Sequence, residues 1–372
     1  MSVLPDAAVI SLARGVPSPD MFPVRQLAES ARRAVEEDGR VALNYGPPFG
    51  YRPLQEWLAA RHGTAPEQIL VAPGSLIGLN LVVRHLFVDG GRAVVEAPTY
   101  DRMLHSLRDL ASDVVSVPRT DDGIDLDRLE DICREKPRPK FLYVLPTFHN
   151  PTGRTLTLEE RRALVEVALE HELLVFEDDP YGLLRFDGEH QPYLYELLRE
   201  RGGGELAVFS SSFSKTVAPG LRVGYLVLPE SLVAPLEALA TRTYVSPPLL
   251  PQAQLLHFLR AGHLEPHLDF LRGFLRPRRD ALLEVFEDGL AGAAAWTRPD
   301  GGYFLWLELP EPLDAAELNV RAREAGVTFV PGAGFFADGS GRGTARLSFS
   351  YPSVAEIREA ATRLVAIVRA AL

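Results

Sequence analysis

Between residues 65 and 230 the chain alternates short apolar runs with longer amphipathic stretches. The runs are Ile69–Ala72, Ala93–Val95, Val114–Val117, Phe141–Leu145, Leu173–Phe176, Leu206–Phe209 and Val223–Leu228. Segments this short that stay apolar at both parities predict strands buried on both faces, hence a mostly parallel sheet. Leu76–Phe87 and Leu158–His171 carry helical spacing and are long enough to cross over between parallel strands. The reading is α/β, a mostly parallel sheet with covering helices. After about residue 235 the pattern changes. A long helical tract from Pro251 to Leu290 precedes alternating runs at Tyr303–Leu307, Val327–Val330 and Ala345–Ser350, then a last helix, Val354–Leu372. That half predicts a smaller α+β domain, with a ligand cleft between the two.

The 372 residues carry 50 acidic and 39 basic side chains, a formal net charge of −11 that argues against nucleic acid as a partner. A single cysteine, Cys133, excludes an intrachain disulfide and a thiolate metal cage, and the expected compartment is the cytoplasm. The first residues show no basic and apolar leader, and no apolar run approaches the ~20 residues of a membrane span. Only three of the basic residues are lysines: Lys136, Lys140 and Lys215.

In open parallel sheets, ligands bind beyond the carboxyl ends of the strands, so the residues after each run are the informative ones. Gly74, Ser75 and Leu76 follow the first, with Ser75 as an expected helix N-cap and a seat for an anion. Tyr100 follows the second, Asn150-Pro151-Thr152-Gly153 the fourth, and Glu177-Asp178-Asp179-Pro180-Tyr181 the fifth. Ser212 and Lys215, then Arg222, follow the sixth. Taken singly, each is an ordinary cap, turn or solvated acid. Ser212 and Lys215 match the Ser-x-x-Lys spacing of penicillin-binding enzymes, but the partner motifs are missing; no GxGxxG or P-loop is present. A metal hydrolase on Glu177, Asp178 and Asp179 has only His149 as a histidine on a strand-end loop. As a set, one lysine, serines, an arginine, a helix start, a carboxylate and an aromatic ring fit pyridoxal 5′-phosphate.

In order and wording these segments resemble the fold type I aminotransferases of class I/II. The resemblance also draws on Tyr45 with Gly50-Tyr51, Pro98-Thr99-Tyr100, Pro219 to Gly224, Arg346 to Ser350, and Ile10 to Gly15 with Pro17 to Pro23. It is nearest to the 2-aminoadipate/kynurenine aminotransferase group and to the aminotransferase part of MocR-type regulators. It implies a transamination from an L-α-amino acid to a 2-oxo acid, 2-oxoglutarate being the expected acceptor, by a ping-pong mechanism. Lys215 would hold the cofactor as a Schiff base and move the α-proton, Asp178 would pair with the pyridine nitrogen, and Asn150 and Tyr181 with the phenolic oxygen. Tyr100 would lie on the ring face. Gly74, Ser75, Leu76, Ser212 and Arg222 would hold the phosphate, joined by Tyr45 from the neighbouring subunit of a homodimer. Arg346, Asn150 and the backbone at Gly15 would take the substrate carboxylate.

The resemblance further implies an arm, residues 1–30, joining the small domain, a large cofactor-binding domain, 31–275, and a small domain, 276–372. Two departures stand out. Leu76 replaces the family's usual glutamine, and Arg14 replaces the first of two glycines, which makes Arg14 a candidate for the side-chain end of the substrate. The competing readings are another α-carbanion reaction, a lyase or elimination, on the same scaffold, and a cofactor-binding regulator or sensor. The second lacks room before Ile10 for a DNA-binding domain.

Overall fold

The structure is a computed structural model that describes residues 9–111, 113–120 and 123–372. In chain order its strands are β1 (Ile10–Ser11), β2 (Ile69–Ala72), β3 (Arg92–Ala97), β4 (Asp113–Thr120), β5 (Gly123–Ile124), β6 (Pro139–Val144) and β7 (Val175–Asp178). They continue with β8 (Ala207–Ser212), β9 (Gly224–Val227), β10 (Ala295–Trp296), β11 (Phe304–Glu308), β12 (Val327–Thr328), β13 (Val330–Pro331) and β14 (Thr344–Ser348).

Eight strands form one sheet in the order β2-β9-β8-β7-β6-β3-β4-β5. The run β8-β7-β6-β3-β4 is parallel throughout, whereas β9 lies antiparallel to both β8 and β2, and β5 turns back on β4. Burial on both faces follows the pleat. On β6, Leu142 and Val144 join one core cluster, while Phe141 and Tyr143 join the other. The α/β reading therefore holds, with one strand reversed inside the sheet.

A four-stranded antiparallel sheet, β10-β11-β14-β13, forms a second layer, and β1 pairs in parallel with β12. The run Val327–Val330 is thus not one strand: β12 pairs with β1, and β13 with β14. The expected tract Pro251–Leu290 is likewise two helices, Leu249–Arg260 and Leu264–Leu290, separated at Ala261-Gly262-His263. Gly262 takes a φ of +72°, the left-handed position that ends helices and that glycine adopts without strain. Helix starts elsewhere follow local chemistry. Thr157 and Ser353 each accept from the backbone N–H three residues on, and Glu160 and Glu356 reach back to close the capping box. Among the described residues, no helix is long and apolar enough to cross a membrane.

Candidate active site

Five strand ends of the large sheet and two strands of the small one, β11 and β14, converge on a cleft of ≈ 410 Å³. Its lining contains Gly15, Gly74, Ser75, Leu76, Tyr100, Asn150, Asp178, Tyr181, Ser212, Lys215, Arg222 and Arg346, residues that lie as far as 331 positions apart in sequence (346 − 15). Arg14 and Tyr45 lie off that lining. Arg14 is exposed, its guanidinium 5.2 Å from the centroid of the Tyr351 ring, and Tyr45 is 83% exposed.

The end of β2 builds a cradle. Gly74, at φ +94°, takes the cap position expected for Ser75, which is instead the first helical residue. A Cβ on Gly74 would sit 2.3 Å from Arg222 Nη2, so only glycine lets the guanidinium close over this turn. Arg222 donates to Pro73 O at 3.2 Å and Pro219 O at 3.4 Å, and no carboxylate among the described residues pairs with it. The first N–H groups of the helix Ser75–Leu86 have no intrahelical partner and lie beside this cation. Ser212 lines the same end of the cleft. The donor set suits a phosphate dianion.

The Asn150 loop is fixed by buried charge. Arg161, fully buried, donates to Leu156 O, Pro146 O, Thr147 Oγ1 and Pro192 O at 2.7–3.1 Å. His149 Nε2 lies 3.3 Å from Glu96 Oε2, and Glu96 also accepts from Leu145 N–H and pairs with Arg119. With its stem so held, Asn150 Oδ1 accepts from Arg346 Nη1 at 2.8 Å. Arg346 rises from β14, donates to Ala13 O at 3.3 Å, and stacks 4.2 Å from the Phe304 ring centroid. Its Nε is buried without a partner. Burial lowers the Arg346 pKa, which leaves it a poorly hydrated fork that favours an anion.

The three acids after β7 separate by direction. Glu177 faces Arg161 and accepts from Tyr195 N–H, and Asp179 accepts from Gly182 N–H at 2.7 Å. Asp178 alone of the three lines the cleft. Its Oδ2 accepts from Tyr143 at 2.7 Å, and its Oδ1 is buried with no partner. Burial pushes its pKa up to about 6, against the pull of Tyr143 and Ser210. The orphaned Oδ1 fits a protonated ring nitrogen. Among the described residues, no three His, Cys, Asp or Glu side chains group as a metal site.

Lys215 follows β8 on a turn closed by Val217 N–H to Phe213 O. Its Nζ donates to Gly15 O at 2.8 Å, and Tyr303 donates to its carbonyl. Burial, then the cations Arg346 and Arg222, lower its pKa to about 8. Lys136 and Lys140 are exposed. Tyr181 is buried and its pKa is pushed up by burial; Tyr100 rises to about 12 for the same first reason. Both are phenols, donors, at neutral pH. The residues missed by sequence are Tyr143, Tyr303, Phe304 and Arg161. Each sits inside a strand or helix pattern, where an aromatic reads as core and an arginine as solvent face.

An α/β sheet with a lysine, a cation-lined cradle and an orphaned carboxylate oxygen at its strand ends defines a pyridoxal phosphate enzyme. The sequence profile of the family "Aminotransferase class I and II" matches residues 7–364, and the chain belongs to that family. A 2-aminoadipate transaminase of Thermus thermophilus is 38% identical over 96% of this chain and 89% of its own. An aromatic-amino-acid aminotransferase of Thermococcus litoralis is 33% identical over 97% and 88%. The crystal structure of the Thermus thermophilus α-aminoadipate aminotransferase, complexed with N-(5′-phosphopyridoxyl)-L-leucine, superposes with a TM-score of 0.91 at 36% identity. It covers 97% of this chain and 92% of that one. The protein is a pyridoxal phosphate-dependent aminotransferase.

Proposed function

We propose that the chain moves the amino group of an L-α-amino acid to a 2-oxo acid, 2-oxoglutarate in the first instance, both substrates using the one cleft in turn in a ping-pong cycle. The carrying observation is Lys215: the one lysine in the cleft lining, buried, with its pKa lowered toward neutrality. Pyridoxal phosphate, when bound, supplies an electron sink and a carrier for the amino group.

The chain's own residues do the rest. Gly74, Ser75, Leu76, Ser212 and Arg222 hold the phosphate, with Tyr45 reaching it from the partner subunit of a homodimer. Asp178 holds a proton at the ring nitrogen. Asn150 and Tyr181 hydrogen-bond the phenolic oxygen, and Tyr100 covers the ring face. Arg346 clamps the substrate carboxylate, with Asn150 beside it and the backbone at Gly15 closing the other side. Lys215 Nζ anchors the cofactor and then carries the proton removed from the substrate α-carbon. Its tether to Gly15 O holds the amine at the same wall that receives the carboxylate. The names of the relatives support 2-aminoadipate and aromatic amino acids as first donors to try, and Arg14 remains our candidate for the side-chain end. We divide the chain into an arm, 1–30, a large domain, 31–275, and a small domain, 276–372. The lone buried Cys133 supports a reducing compartment such as the cytoplasm.

The test is the absorption spectrum of the holoenzyme. A visible band that an amino acid removes and 2-oxoglutarate restores is the expected result. In Lys215→Ala that band is lost, and turnover falls by at least about 10³-fold. A band unchanged in Lys215→Ala overturns the assignment. Ammonia release without need of an acceptor points to the elimination reading instead.

A further inference from the structure

Asp178 can hold a proton on the ring nitrogen only if it is itself ionised and presents a free oxygen to the cleft. Both conditions are hard to meet in a fully desolvated site, where burial favours the neutral acid. A cationic neighbour would solve the first problem and defeat the purpose, because it would compete with the ring nitrogen for the carboxylate. Among the described residues no cation pairs with Asp178. The hydroxyl bonded to it is that of Tyr143 from β6, at 2.7 Å; Ser210, its cross-strand neighbour in register on β8, lies beside it with its own hydroxyl unbonded. Tyr100, before the helix Asp101–Leu110, and Tyr181 also feel its charge, and both remain neutral phenols. Asp179, next in the chain, is turned away onto Gly182 N–H.

We propose that Tyr143 is a positioning residue for the cofactor's ring nitrogen: its hydroxyl occupies Asp178 Oδ2, turns Oδ1 toward the cleft, and keeps the carboxylate ionised without a competing positive charge. The inference rests on the Asp178 role given above. Three features carry it. Tyr143 is fully buried, so its hydroxyl has no water to choose instead. The two oxygens of Asp178 are unequal, one bonded and one orphaned, and the orphan belongs to a residue lining the cleft. Burial and the adjacent negative charge drive the Tyr143 pKa well up, so the phenol stays a donor across the working range.

The test is nitrogen-15 NMR of holoenzyme reconstituted with pyridoxal phosphate labelled at the ring nitrogen. Wild type, Tyr143→Phe and Asp178→Asn are compared at one neutral pH. In wild type the shift is that of a protonated pyridine, and in Asp178→Asn that of a neutral one. Tyr143→Phe removes one oxygen from a side chain that keeps its volume. Its Asp178 becomes the better base, the shared proton moves from nitrogen to carboxyl, and the shift moves toward the neutral position. The single-turnover rate of amino transfer falls about tenfold, the worth of one unit of carboxyl pKa, with the amino-acid Kd unchanged. Circular dichroism and cofactor stoichiometry establish that the variant is folded and loaded. Should it not fold, Tyr143→Met deletes the same hydroxyl behind a side chain that adapts to irregular space. A protonated shift and wild-type rate without the hydroxyl, alongside a neutral shift in Asp178→Asn, overturn the role of Tyr143. A protonated shift in Asp178→Asn overturns the Asp178 role itself, and with it this inference.

Discussion

A lysine amine reacts with an aldehyde only when it has shed its proton, and Lys215 is placed to do so well below the ordinary lysine range. Burial is the larger cause and the fields of Arg346 and Arg222 the smaller, together taking the amine from its ordinary 10.5 to about 8. The sign follows directly. Below pH 8 the folded apoenzyme holds an ammonium that cannot attack; above it the amine is free. Stopped-flow absorbance should show the rate of cofactor capture rising with pH through about 8 and levelling beyond. Arg346→Met, which removes one of the two cations, should move that midpoint upward. A capture rate independent of pH between 6 and 9 would contradict this account of the amine. The same residues show how far a sequence reaches. Lys215 was legible because only three lysines exist and the other two flank prolines in a charged segment. Tyr143 was not. A tyrosine in the middle of Phe141–Leu145 looks like any core aromatic, and its partner is 35 positions away on another strand.

At the scale of elements, the cradle depends on how closely two strands pass. β9 runs antiparallel beside β2, so that Gly224 lies opposite Ala72 and directly under the start of the next helix. A Cβ on Gly224 would fall 2.1 Å from Ser75 N, a collision with backbone that no rotamer change relieves. Gly224→Ala should therefore displace the N–H groups that we assign to the phosphate. Fluorescence titration of the apoenzyme should show the Kd for pyridoxal phosphate raised about tenfold or more, equivalent to about 1.4 kcal/mol. An unchanged Kd would mean that the first turn of that helix is not what holds the anion. The two-residue β5, Gly123–Ile124, is too short to show as an apolar run; the other seven of the eight strands of this sheet were readable as such. Strand direction was not: Val223–Leu228 looks the same run forwards or backwards, and its reversal comes from the short connection out of β8. The break at Gly262 was readable in principle, as a glycine after Arg260 in a helical tract, but the continuous apolar face on either side hides it.

For the whole molecule, the question is what covers one apolar face. Val41, Leu43 and Tyr45 are 57%, 67% and 83% exposed in succession. The Gly46 N–H to Ser246 Oγ bond of 3.0 Å brings Val245, itself 58% exposed, beside them. Grouped exposed apolar side chains of this kind mark an interaction surface. Sedimentation velocity at micromolar concentration should give the mass of two chains. Tyr45→Phe should keep that mass while weakening cofactor affinity several-fold, the loss expected of one phosphate hydrogen bond. A monomer, or a dimer with unaltered affinity in Tyr45→Phe, would remove Tyr45 from the site.

The position of β2 at the edge of the large sheet has a consequence for synthesis. Its one neighbour there is β9, and Ile69 is in register with Val227. Partners in this pairing stand 152 positions apart at Ala72 and Gly224 (224 − 72) and 158 apart at Ile69 and Val227 (227 − 69), so a growing chain must extend through β9 before β2 can pair. Until then the turn we assign to the phosphate has neither Arg222 over it nor β9 beside it. Contacts of such separation form late. The cradle is accordingly a late product of synthesis: Gly74 and Arg222 meet only after more than half of the chain has been made.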